Sequence, residues 1–109
     1  MSEPNDELPR SYDEFKKLHP EVWVAYDRLG AAVHAAGPLE SKARELVKLG
    51  LAVGARLEGA VHAHTRLALQ AGASPPEIRH VVLLATTTIG FPSMMAALSW
   101  VEETLTSVV

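Results

Sequence analysis

Apolar residues recur along this chain every three or four positions, with polar residues between them, the period of helices that bury one face. The first such stretch is announced by Ser11-Tyr12-Asp13-Glu14, which has the form of a capping box. It predicts a short helix from residue 11 to about His19, because Pro20 disfavours helical geometry in the residue before it. Pro20 suits the first turn of a second helix, on which Trp23, Tyr26, Leu29 and Val33 keep helical spacing until Gly37-Pro38. A third helix is predicted over 41–55 with Ser41 as its cap. Its residues Leu46, Val47, Leu49, Leu51 and Val53 make it apolar on more than one side, which marks a central element.

Residues 58–71 read as a fourth helix closed by Gly72. Ser74-Pro75-Pro76-Glu77 is a second capping box with proline in the first turn, and opens a fifth helix running to about Thr88. The run Thr86-Thr87-Thr88-Ile89 is β-branched, but no other strand pattern exists to pair with it, so it reads as the fraying end of that helix. Gly90-Phe91-Pro92 breaks the chain, and 92–105 forms the last helix. Six helices with short connections give an all-α domain over 11–109, preceded by a charged, proline-containing tail over 1–10 that reads as flexible.

Composition narrows the chemistry. The chain has no cysteine, which excludes disulfides, thiolate metal ligands and thiol redox steps. A net charge of −3 lacks the basic excess of a nucleic-acid binder. No apolar run is long enough to span a membrane, and the acidic N-terminus is unlike a secretory signal, so a cytoplasmic location is expected.

One stretch carries more specific information. Glu45 is followed twelve positions later by Leu57, then by Ala60, then by His64, within Glu45-Leu-Val-Lys-Leu-Gly-Leu-Ala-Val-Gly-Ala-Arg-Leu57-Glu-Gly-Ala60-Val-His-Ala-His64. This resembles the core motif of the carboxymuconolactone decarboxylase and alkyl hydroperoxidase D superfamily. In its redox branch a glutamate and a histidine flank a Cys-x-x-Cys pair, and Leu57 and Ala60 stand here at the two sulfur positions. The likeness continues through Gly72, Glu77-Ile78 and Gly90-Phe91-Pro92 and covers roughly residues 20–105. It implies an antiparallel helical array of the alkyl hydroperoxidase D-like fold, assembled as trimers or hexamers.

His64 and Glu45 are the candidate catalytic residues. An imidazole can give or take a proton near neutral pH, and a carboxylate can orient it. Ala60 leaves room beside His64, and Leu57 makes the surroundings apolar, the usual form of a small-molecule site. Arg66 is a candidate clamp for a substrate carboxylate, and His62 a further substrate contact. His62 lies about 200° around a helix from His64, so the pair cannot share one metal. Glu58 and His62, four apart, share a helix face; a metal there would need a further ligand from another helix or subunit. No metal and no cofactor is called for by the motif. The resemblance implies a cofactor-free acid/base enzyme, of lyase type, acting on a small carboxylated, lactone-like metabolite. The alternative is a non-catalytic ligand-binding or scaffold oligomer of the same fold. Peroxidase activity, common in the superfamily, is disfavoured because a peroxide must meet a thiolate, haem, metal or flavin.

Overall fold

The computed structural model describes residues 10–107, all in helices and the turns that join them. Of the tail expected over 1–10, residues 1–9 lie outside the described residues, and Arg10 is helical. The backbone divides after Leu39 into two compact units. In the sequence Gly37-Pro38, just before that division, is indistinguishable from an ordinary helix stop.

The first unit holds α1 (Arg10–Leu18) and α2 (Pro20–Ala35). Helix α1 begins one residue earlier than the capping pattern predicts, so Ser11 lies inside it and does not cap it. His19 alone separates the two helices, and Pro20 occupies the first turn of α2, where its missing N–H costs nothing. Aromatic contacts tie the hairpin: Tyr12 and Trp23 have ring centroids 6.3 Å apart, and Lys16 Nζ lies 4.6 Å from the centre of the Trp23 ring. No residue of α2 is buried within the chain, although Val22, Tyr26, Leu29 and Val33 are large and apolar.

The second unit holds α3 (Ser41–Gly54), α4 (Glu58–Gln70), α5 (Pro75–Leu83) and α6 (Phe91–Ser107). Its core follows the periodicity: Leu49, Ala52 and Val53 from α3, Val61, Thr65 and Ala68 from α4, Ile78 and Val82 from α5, and Met94, Ala97 and Val101 from α6. Alanines at 52, 68 and 97 allow close approach of the helices. Each fully buried Leu, Ile or Val contributes about 1.5–3 kcal/mol relative to exposure. Helix α3 is capped by Glu40, one residue before the expected Ser41, with no side-chain hydrogen bond.

The capping box at α5 forms as predicted. The Ser74 hydroxyl accepts from the Glu77 N–H at 3.3 Å, and Glu77 accepts from the Ser74 N–H at 2.9 Å. The expected fraying at the end of α5 is a tightened 3₁₀ turn over Leu84–Thr87. There the N–H groups of Thr88, Ile89 and Gly90 converge on the Ala85 carbonyl, and Gly90, at φ 104°, supplies the positive φ that re-aims the chain into α6. Arg79 clasps Glu102 with two hydrogen bonds of 2.7 and 2.9 Å and so ties α5 to α6. These bonds hold Glu102 below the ordinary carboxylate range and push Arg79 up. Lys42 likewise reaches Glu77 at 2.8 Å, and its hydrogen bond is the main reason Glu77 is held low.

Candidate functional site

The turn between α3 and α4 sets the site. Gly54 is followed by Ala55, Arg56 and Leu57, and Arg56 takes the left-handed conformation at φ 58°. Its N–H donates to the Val53 carbonyl at 3.1 Å and that of Leu57 to Ala52 at 3.0 Å, the two bonds of a Schellman motif. Helix α4 ends in the same motif at Gly72, at φ 97°. Glycine adopts that conformation freely, whereas arginine does so at a cost of about 1–2 kcal/mol. Sequence reasoning missed this turn, because arginine gives no signal for it.

The short connection lays α3 and α4 side by side as an antiparallel pair. Glu45 and His64 then meet, with Glu45 Oε1 2.9 Å from His64 Nδ1. Glu45 is buried at 8% exposure, and the His64 side chain is 19% exposed. With Glu45 ionised, Nδ1–H is the donor, which leaves Nε2 as the atom free to exchange a proton.

His64 also forms part of the wall of an open cleft of about 280 Å³. Helix periodicity explains the lining. Lys48, Leu51, Ala52 and Ala55 recur at three- and four-residue steps on α3, as do Leu57, Ala60 and His64 on the α4 side. Lys48 was not singled out from the sequence, although it lies three residues after Glu45 and so on the same face. The structure thus brings together His64, Glu45 and Ala60. His62 and Arg66 do not line this cleft. Each lies two residues from His64, which turns it about 200° around the helix, and the two are four apart on one side of α4.

On that other side His62 Nδ1 lies 2.6 Å from Thr104 Oγ1 of α6. Its Nε2 is 3.4 Å from Glu58 Oε2 and 3.8 Å from Glu103 Oε2. Thr104 and Glu103, 42 and 41 residues along the chain from His62, were not foreseen; only the fold joins them.

The model of the carboxymuconolactone decarboxylase family matches residues 20–103. The chain belongs to that family. A Legionella pneumophila carboxymuconolactone decarboxylase family protein, solved in its apo form, superposes with a TM-score of 0.75 at 26% identity, over 86% of this chain and 84% of that one. An uncharacterised Haemophilus influenzae protein is 39% identical over 57 residues, 52% of this chain. That match spans half the length of the Haemophilus protein. This family member carries Leu57 and Ala60 in the wall beside His64, and no helix among its described residues is long and apolar enough to cross a membrane.

Proposed function

We propose that the chain is a cofactor-free acid/base enzyme of carboxymuconolactone decarboxylase type, acting on a small carboxylated lactone. The observation that carries this reading is the 2.9 Å contact between buried Glu45 and His64, with His64 in the wall of an apolar cleft. Glu45 fixes the ring tautomer and stabilises the imidazolium. His64 Nε2 is then a base when neutral and a proton donor when charged. In a decarboxylation the carbon–carboxylate bond breaks, carbon dioxide leaves, and the electron pair stays on carbon as an enolate. His64 Nε2–H delivers the proton that quenches it. Apolar Leu51, Ala55 and Leu57 line the cleft, and covered by a partner chain in the oligomer proposed below they favour loss of charge from the departing carboxylate by keeping water away. Lys48 takes the anionic end of the substrate, in the place expected for Arg66.

A cytoplasmic homo-oligomer belongs to the same proposal. Leu51 and Leu57, at the cleft, and Leu67 are exposed in the single chain, and a trimer or hexamer would cover such surface. Size-exclusion chromatography with light scattering checks this; a monomer at micromolar concentration refutes it.

The catalytic test is incubation with carboxymuconolactone, following carbon dioxide release. Turnover that disappears in His64→Ala supports the proposal. Turnover unaffected by His64→Ala overturns it. Thermal stabilisation by the lactone without turnover would favour the ligand-binding reading instead, since the cleft is mostly apolar with few polar groups.

A further inference from the structure

We propose that Glu58, His62 and Glu103 form a divalent-cation site on the α6-facing side of α4, with the nitrogen and oxygen donor set that suits zinc. The three donor atoms lie within 4.8 Å of one another, two from one helix at four-residue spacing and the third from α6. Their separations are unlike those of the ion pairs elsewhere in this chain. His64–Glu45 closes to 2.9 Å and Arg79–Glu102 to 2.7 Å, whereas His62 Nε2 stands 3.4 and 3.8 Å from its two carboxylates. Charge-assisted hydrogen bonds contract to about 2.7–2.9 Å, so these gaps are too wide for good ones. Metal–ligand bonds of about 2.0–2.1 Å put neighbouring ligands of a coordination tetrahedron about 3.3–3.4 Å apart. The 3.4 Å separation from Glu58 matches that edge, and Glu103, at 3.8 Å, closes on an ion by a side-chain movement.

An observation outside the three donors points the same way. Thr104 is buried, and its hydroxyl oxygen lies 2.6 Å from His62 Nδ1; in the tautomer with the proton on Nδ1 it accepts from Nδ1–H. The ring is then held with the Nε2 lone pair aimed between two carboxylates. In that tautomer three lone-pair donors face one another within 4.8 Å, an arrangement that a cation stabilises. An imidazole steered by a hydrogen bond at its other nitrogen is the usual support of a metal ligand. Glu58 and Glu103 are 57% and 65% exposed at their side chains, which leaves them free to close on an ion and leaves a fourth position for water or substrate. The site is separate from the Glu45–His64 couple and does not depend on its chemistry.

The test is titration of the full-length chain with cobalt(II) chloride, read by the visible absorption of tetrahedral cobalt, followed by displacement with zinc chloride. One equivalent per chain is expected. His62→Ala should abolish binding, and Glu103→Gln, at an exposed position that leaves the fold intact, should weaken it at least tenfold. Thr104→Val should weaken it about 10–100-fold with helix content unchanged by circular dichroism. His64→Ala should bind as the parent does. Absence of saturable binding, binding that survives His62→Ala, or binding lost in His64→Ala would each overturn the proposal.

Discussion

His62 and His64 are separated by one residue on α4 and live in opposite circumstances. His64 faces α3, where its partner Glu45 is buried and a single short hydrogen bond fixes the ring. His62 faces α6, where buried Thr104 steers one nitrogen and two exposed carboxylates stand off from the other. On the two proposals the same side chain serves as a proton carrier on one face and as a metal ligand on the other. What differs is the depth and distance of the neighbouring oxygens. A helix can present two chemistries two residues apart because the turn of the backbone separates them more completely than the sequence does.

The largest expected effect falls on the α3 side. His64→Ala should lower turnover by about 10²–10⁴-fold, the usual worth of general acid–base catalysis, while His62→Ala leaves kcat within about twofold. Equal losses in steady-state kinetics would erase the distinction between the two faces. Stability should divide the same way. Glu45→Ala leaves a half-buried imidazole N–H without its acceptor and should cost about 1–3 kcal/mol, whereas Glu58→Gln should change stability by less than about 0.5 kcal/mol. Denaturant melts measure both.

The turn that sets α3 against α4 supplies a smaller effect with an unusual sign. Arg56→Gly should stabilise the chain by about 0.5–1 kcal/mol, since glycine relieves the left-handed strain at some entropic cost in the unfolded chain. A destabilised Arg56→Gly variant would mean that the arginine side chain holds the turn. Smallest is an effect of acid on the α5–α6 clasp. Glu102 is held low in the folded chain, so its contribution is complete above the ordinary carboxylate pKa and is lost as pH falls through its lowered folded value. Glu102→Gln should therefore flatten the acid limb of the stability–pH curve, and an unchanged limb would show the clasp to be too solvated to matter.

How much of this was legible in the sequence depended on the range of each interaction. Ser74-Pro75-Pro76-Glu77 forms its cap within one turn, so the pattern sufficed. Ser11 and Glu14 make the same pattern, but α1 starts at Arg10, and a cap motif cannot act from inside a helix. Glu45 and His64 are paired through family resemblance, since a separation of nineteen positions hides the contact from any local rule. Lys48 shares the face of Glu45 by helix spacing, which suggests an ion pair with it as readily as a place in the cleft wall. Thr104 and Glu103 were beyond reach, because only the packing of α4 on α6 makes them neighbours of His62.

The wall that carries His64 begins with Leu57 and Ala60, three residues apart where α4 starts. Any side chains put there inherit a place beside an imidazole already tethered to a carboxylate. Two engineered cysteines would arrive as a dithiol with a proton acceptor in position to raise their thiolate fraction. The positions of Leu57 and Ala60 therefore place whatever occupies them within reach of the cleft that His64 lines.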